Sequence, residues 1–297
     1  MREIYIFTSV FFRKISINRN IFCNFAGEME RCIQLGGRLL DLSHPRVMAI
    51  VNLSADSFYT SCNATDEKGL LSYVEVALQS GADILDIGAC STRPNSTPVD
   101  MKEELHHLLQ GLDIIRHHWS HVPISVDTFR SEVAEQAILH GADMINDVYG
   151  GIDKAIWDVV AKNKVPYVLT HADDIQHEQC DMVMSQVLDV LQEKIDYLHR
   201  RGIADVVVDP GFGFGKTIEQ NHTILRHLEV LEALHAPILV GVSRKSMLYK
   251  PLGLTPEEVL PATVATHTIA LQRGANILRV HDVDAAVQAI KIHELMN

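Results

Sequence analysis

A chain of 297 residues with 47% hydrophobic content can build one large α/β domain or two small ones, and no stretch has the composition of a linker, which favours one domain. The formal net charge of -12, with acids and bases interspersed, argues against a nucleic-acid surface and an anionic membrane patch. Five cysteines, odd in number and without CxxC or His-rich spacing, indicate reduced thiols in the cytoplasm rather than a zinc site.

The segment Met1 to Glu28 fits the rest poorly. Its apolar part, Ile4 to Phe12, is too short to span a bilayer, and no convincing small-residue cleavage site comes after it, so a secretory signal is not expected. Residues 1–28 read as an extension, disordered or a translated leader ahead of a start at Met29, and residues 29–297 as the folded domain. From there the pattern becomes regular. Cys32–Leu35, Gly36-Gly37 and Arg38–Leu42 spell a short hairpin on a Gly-Gly turn, expected to cover one end of the domain.

Val47–Val51 is a continuous apolar run ending in Asn52, succeeded by a polar loop and a helix over about Glu67–Gln79. The unit recurs at Ala82–Gly88, Pro123–Asp127, Met144–Asp147, Tyr167–His171, Val206–Asp209, Ile238–Ser243 and Ile277–Asp282. Gly81, Gly141 and Gly274 each stop a helix just before the next strand. Eight near-continuously apolar strands, each leading into an amphipathic stretch, predict a (β/α)8 barrel, because both faces of every strand must be covered. An open doubly wound sheet is the alternative, but it usually has fewer strands, and a dinucleotide fold would carry a glycine fingerprint where Asn52-Leu53-Ser54 stands.

A barrel brings the C-terminal tips of all strands to one mouth, so Asn52, Thr92, Asp127, Asn146, Asp209, Lys245, Arg279 and His281 are expected to converge there. Each has a structural reading as well. Asp127 could cap the next helix, Asn146-Asp147 and Asp209 could close turns, and His281 could be a satisfied core imidazole. As a group they form two sets. Asp127, Asn146 and Asp209 suit a flat heterocycle displaying several N–H groups and ring nitrogens, with Lys245 able to donate to a ring carbonyl. Arg279 and His281, two residues apart on a strand and so on one face, suit a phosphate or carboxylate. Ser243-Arg244-Lys245-Ser246 stands where a helix begins, a place whose free N–H groups favour anions.

The motifs Asn52-Leu53-Ser54-Ala55-Asp56-Ser57-Phe58, Ser91-Thr92-Arg93-Pro94, Ser125–Thr128, Ile145–Asp147, Asp209–Lys216, Ser243–Ser246 and Arg279–Val283 resemble, in order, those of the dihydropteroate synthases, pterin-binding barrels of folate biosynthesis. The resemblance runs from about Arg31 to the C-terminus. It implies that Asp127, Asn146, Asp209 and Lys245 hold a pterin ring, that Arg279 and His281 meet its diphosphate, and that Asn52 is associated with Mg2+ bound to that diphosphate. It places Thr92, Arg93 and Ser243 near p-aminobenzoate with Phe214 flanking it, and puts Asp56 with Asp127, Lys245, Arg279 and His281 among the catalytic residues. The implied reaction condenses 6-hydroxymethyl-7,8-dihydropterin diphosphate with p-aminobenzoate, in a homodimer paired through the outer helices over 256–273 and 283–296.

The sequence departs from the family pattern at Ser54-Ala55 (usually Thr-Pro), Ala89-Cys90 (usually Gly-Glu) and Thr170–Asp174 (usually Met-His-Met, then Arg or Gln, then Gly). These changes are expected to affect turnover and p-aminobenzoate affinity more than pterin binding. Other readings the residues allow are a pterin-binding barrel that has lost synthase activity and a protein akin to the methyltetrahydrofolate–corrinoid methyltransferases. The loops over 54–65 and 89–98 are expected to be mobile without ligand and to close over the mouth.

Overall fold

The structure, a computed structural model, describes residues 32–53, 67–89 and 100–296. The N-terminal extension and nearly all of the two loops expected to close over the mouth lie outside these residues, and so do Asp56, Thr92 and Arg93.

The expected hairpin is present. Strands β1 (Cys32–Leu35) and β2 (Arg38–Asp41) pair antiparallel with Leu35 opposite Arg38, and Gly36 and Gly37 turn the chain with φ of 53° and 78°. Two consecutive positive φ values are what a two-residue hairpin turn of the right twist requires.

Eight parallel strands come next: β3 (Arg46–Asn52), β4 (Ile84–Gly88), β5 (Ile124–Asp127), β6 (Met144–Asp147), β7 (Tyr167–Thr170), β8 (Val206–Asp209), β9 (Leu239–Val240) and β10 (Ile277–Val280). Their order is β8-β7-β6-β5-β4-β3-β10-β9, and the ring closes where Val208 bridges Ile238 in parallel and donates its N–H to the Pro237 carbonyl at 2.8 Å. The chain therefore forms the (β/α)8 barrel. The outer layer comprises α1 (Glu67–Gln79), α2 (Met101–His118), α3 (Ser131–Leu139), α4 (Ala155–Asn163), α5 (Cys180–Arg200), α6 (Ile218–Arg226), α7 (Ser246–Leu252), α8 (Leu260–Gln272) and α9 (Val283–Leu295), with a 3-10 turn over Leu228–Leu234. Strand β9 spans two residues, shorter than the run Ile238–Ser243 suggested, because Val242 and Lys245 already close a turn, carbonyl to N–H at 3.1 Å.

Side chains alternate across each strand, which separates two cores. Val47, Ala49, Val51, Leu85, Ile87, Ile124, Val126, Ile145, Tyr167, Leu169, Val206, Val208, Val240, Leu278 and Val280 face the helices. Met48, Ile84, Met144, Val168, Val207, Leu239 and Ile277 fill the barrel and meet Ile33, Leu35 and Leu42 of the hairpin segment. The hairpin is thus a plug under the barrel floor, tied down where the Gln34 N–H donates to Asp205 at 3.1 Å. One step along each strand the interior turns polar, with Asp86, Asp127, Asn146, Thr170, Asp209 and Arg279 taking the positions above that apolar floor.

If the plug seals the floor without touching the mouth, Leu35→Ala should lower unfolding free energy by about 2–4 kcal/mol, the usual cost of truncating a buried leucine. Urea denaturation is the measurement, and pterin affinity in the same protein should be unchanged.

Candidate active site

At the centre of the mouth lies Arg279, the inward residue of β10 above Ile277. Its Nε donates to Asp86 Oδ2 at 2.6 Å and its Nη2 to Asp127 Oδ2 at 2.6 Å, while Nη1 makes no hydrogen bond to the described residues. Asp86 Oδ2 also accepts from Asn146 Nδ2 at 3.0 Å. Asp86, Asp127 and Asn146 are buried, and Asp127 Oδ1, Asn146 Oδ1 and Asp86 Oδ1 have no hydrogen-bond partner among the described residues. Buried acceptors left unpaired cost free energy, so a cluster of them facing a cavity mouth is a site prepared for donors. Burial pushes the Asp127 carboxyl up to about 7, against the pull of Arg279 and with the help of neighbouring Asp86. The two carboxylates hold Arg279 charged, its pKa raised despite burial.

Asp209 ends β8 opposite this group. Its Oδ1 accepts the Gly211 N–H at 2.7 Å, which is the turn-closing role; Oδ2 makes no hydrogen bond to the described residues and stands opposite Gly241. One oxygen shapes the loop and the other is left for a ligand. Burial raises its pKa, with Lys245 the main opposing charge. Lys245 donates to the Phe212 carbonyl and lies 4.9 Å from the centroid of the Phe214 ring. Burial lowers its pKa to about 8 although Asp209 acts the other way. The Phe214 ring continues into an aromatic edge through Tyr149, at 6.2 Å between centroids, and Phe129, at 4.9 Å from Tyr149.

The glycine-rich loop after β8 is strapped to the loop after β7 by Lys216. Its Nζ donates to the carbonyls of His171 (2.7 Å), Phe214 (2.9 Å) and Gly211 (3.0 Å). A Cβ on Gly211, where φ is 71°, would lie 2.0 Å from the His171 carbonyl, so no other residue can stand there. One acid of the loop after β7 is taken up locally, Asp173 accepting from Lys194 at 3.0 Å, while Asp174 packs against the loop after β8, where a Cβ on Gly215 would lie 2.5 Å from its Oδ1.

At the rim, Ser243 Oγ and His281 Nδ1 share a hydrogen bond of 3.1 Å, and Ser243 Oγ also accepts the His281 N–H at 3.3 Å. With the hydroxyl donating to Nδ1, the imidazole carries its proton on Nε2 as a donor. The expected set of free N–H groups at the start of α7 is reduced, because Arg244 N donates to Thr263 at 3.3 Å and Lys245 N to Val242. Arg244 itself turns away, with a φ of 56° and a two-pronged pair to Asp282 at 2.7 and 2.6 Å. Arg279 and His281 share a strand face but not a role: one lies among the acids, the other at the rim with Ser243. Asn52, the half-buried last residue of β3, pairs with Gly88 in the ladder. Among the described residues no cluster of three or more His, Cys, Asp or Glu side chains could cage a metal. A single amide oxygen fits a magnesium ion held mostly by phosphate oxygens and water.

The chain matches the family model described as pterin binding enzyme over residues 48–281. The chain belongs to the pterin-binding enzyme family. Among its relatives is the dihydropteroate synthase of Clostridium beijerinckii, 37% identical over 254 residues, covering 84% of this chain and 93% of that protein. Among solved structures, Xanthomonas albilineans dihydropteroate synthase with 4-aminobenzoic acid superposes with a TM-score of 0.83 at 38% identity, covering 90% of this chain and 98% of the other. A Coxiella burnetii dihydropteroate synthase in complex with pteroic acid gives 0.82 at 35% identity over 89% and 98%.

Within this family member, the structural readings of the strand-end residues divide cleanly. Asp147, not Asn146, closes the turn, accepting the N–H groups of Tyr149 at 3.0 Å and Gly151 at 2.8 Å. Asp127 does not cap α3; Asp153 does, accepting the Ser131 N–H at 2.8 Å. Asp86 escapes a reading of the sequence because it lies inside an apolar run, and Thr170 shows there only as a departure from the family's usual methionine. Their signal is phase: both fall on the inward register of their strands, two residues above Ile84 and Val168.

Asp86→Ala should leave Arg279 with one acid partner and weaken pterin binding at least tenfold, at a stability cost of about 3–5 kcal/mol for breaking a buried charge pair. Calorimetric titration and thermal melting would test both. The ionised Asp127 accepts N–H donors more strongly than its protonated form, which keeps one acceptor oxygen and turns the other into a donor, so pterin affinity should rise as pH increases through about 7. A titration flat from about pH 6 to 8 would show that Asp127 does not meet the ring.

Proposed function

We propose that this chain acts as a dihydropteroate synthase, joining 6-hydroxymethyl-7,8-dihydropterin diphosphate to p-aminobenzoate to give 7,8-dihydropteroate and diphosphate. The observation that carries the reading is the set of unpaired buried acceptors, Asp127 Oδ1 and Asn146 Oδ1, around Arg279 at the barrel mouth. Relatives solved with 4-aminobenzoic acid and with pteroic acid support the two halves of the substrate pair.

Asp127, Asn146 and Asp209 accept from the N–H edge of the pterin, and Lys245 donates to its carbonyl. His281 and Ser243 meet the diphosphate at the rim, where Asn52 would help to hold Mg2+ and the bound ion would neutralise charge on the leaving group. Arg279, held among the acids, offers its remaining Nη1 to the substrate. Phe214 flanks the arylamine, and the family resemblance adds Thr92, Arg93 and Asp56, which lie outside the described residues. The C–O bond between the pterin methylene and diphosphate breaks with its electron pair leaving on diphosphate. The methylene cation spreads into the ring above Asp86, Asp127 and Asp209, whose carboxylates favour it. The arylamine nitrogen then forms the new C–N bond and loses a proton to water. No protein nucleophile takes part.

A homodimer paired through α8 and α9, which expose Ile269, Ile292 and Leu295, and a cytoplasmic setting suited to the free thiols Cys32 and Cys180, complete the proposal. Among the described residues no helix is long and apolar enough to cross a membrane.

Incubation with the pterin diphosphate, p-aminobenzoate and Mg2+ should release diphosphate only when the amine is present. Asp209→Asn should lower kcat/KM by about 10- to 100-fold, the usual range for a hydrogen bond to a buried charge. Chelation of Mg2+ should raise the KM for the pterin diphosphate while leaving the affinity for pteroic acid unchanged. Pterin binding without amine-dependent release would replace the synthase reading with that of a pterin-binding protein.

A further inference from the structure

Strands β5, β6, β7 and β8 are consecutive neighbours around the barrel, and each brings an inward polar side chain to the mouth. Asp127 ends β5, Asn146 is the last but one residue of β6, Thr170 ends β7 and Asp209 ends β8. Three of these carry the proposed ring contacts; the fourth, Thr170, lies between Asn146 and Asp209. Alternation along β7 fixes its direction, since Tyr167 and Leu169 face the helices and Val168 belongs to the barrel interior. Thr170 is paired across the ladder with Asp209, which sets it at mouth level. Its side chain is fully buried and its hydroxyl has no hydrogen-bond partner among the described residues.

A threonine in a strand commonly satisfies its hydroxyl locally, and leaving it unpaired in a buried position costs free energy. The unpaired hydroxyl of Ser125 is placed differently: Ser125 pairs with Met144, a residue of the apolar floor, so it lies a level below. Thr170 therefore places an unpaired hydroxyl at the height of the ligand. Unlike the carboxylates of Asp127 and Asp209, it can both donate and accept. A heterocycle edge that presents donors to carboxylates also presents lone pairs from its ring nitrogens, and those need a donor on the same wall.

We propose that Thr170 is a ring-contacting residue that determines specificity, its hydroxyl donating to a ring nitrogen of the bound heterocycle between the contacts made by Asn146 and Asp209. The assignment rests on the pterin reading of the site. The hydroxyl costs the free protein stability and is compensated only in the complex, which separates a ligand contact from a structural one.

The test compares the full-length protein with Thr170→Val, which keeps the shape and removes the hydroxyl, and Thr170→Ser, which keeps the hydroxyl. The probe is 6-hydroxymethylpterin by isothermal titration, with Tm measured for each free protein. Thr170→Val should weaken binding about five- to tenfold while its Tm stays level or rises, and Thr170→Ser should bind within about twofold of the unaltered chain. Binding by Thr170→Val as tight as that of the unaltered chain overturns the assignment, and so does equal weakening in both variants. A lower Tm or failure to fold in Thr170→Val makes the hydroxyl structural and likewise overturns it. No binding of the probe by the unaltered protein overturns the pterin reading itself and this assignment with it, so the two failures are distinguishable.

Discussion

The guanidinium of Arg279 is the constraint on which the mouth of the barrel depends. A site that grips a heterocycle through its N–H groups needs carboxylates, and carboxylates away from water are costly unless a cation is near. Arg279 serves two of them at once with Nε on Asp86 and Nη2 on Asp127, both at 2.6 Å. Because a guanidinium is a rigid fork, it fixes the spacing and the orientation of the acids as well as their charge. Lysine could supply the charge but not the angle. Lys245 has the smaller task of balancing Asp209, where one partner and a ring face suffice.

That arrangement is possible because the barrel interior changes character along its axis. The floor is apolar and sealed from below by Ile33, Leu35 and Leu42. Water therefore cannot reach the acids from beneath, in keeping with the burial that raises the Asp127 and Asp209 pKa values. The hairpin stands at the pole opposite the chemistry and completes the apolar floor beneath it.

Most of this is legible in the sequence, and the exceptions depend on which way a strand residue faces or on what meets it in space. Strand, loop and helix repeat with a period that leaves little choice but a parallel barrel, and Asp127, Asn146 and Asp209 stand out as polar residues closing apolar runs. Asp86 is hidden because Ile84, Leu85 and Ile87 surround it and the run reads as pure core; only the two-residue phase of the strand turns it inward. Thr170 is visible as a replacement for the family's usual methionine, but its free hydroxyl is hidden because threonine is ordinary in strands. The split between Asn146 and Asp147 is also out of reach, since adjacent residues on a strand face opposite sides and which of them faces the mouth depends on register with β5 and β7. Convergence in space, not type, makes Arg279 central: nothing in Arg279-Val280-His281 distinguishes an anion-binding arginine from one already engaged by two acids.

The loops after β7 and β8 show how the same residues shape the backbone and keep atoms ready for a ligand. Asp209 gives Oδ1 to the Gly211 N–H and keeps Oδ2. Gly211 then passes so close to the His171 carbonyl that a side chain is excluded, which lets Lys216 reach carbonyls from both loops. Three N–H bonds from one ammonium fix Phe214 by its own carbonyl, and Phe214 in turn meets Lys245. An error in placing Lys216 would therefore pass to Asp209 on one side and to the aromatic wall on the other. The glycines of this loop are not there to make it flexible. They let two backbones approach closely enough for a single half-buried lysine to hold them together, which is the condition for a carboxylate oxygen to stay where a ring will arrive.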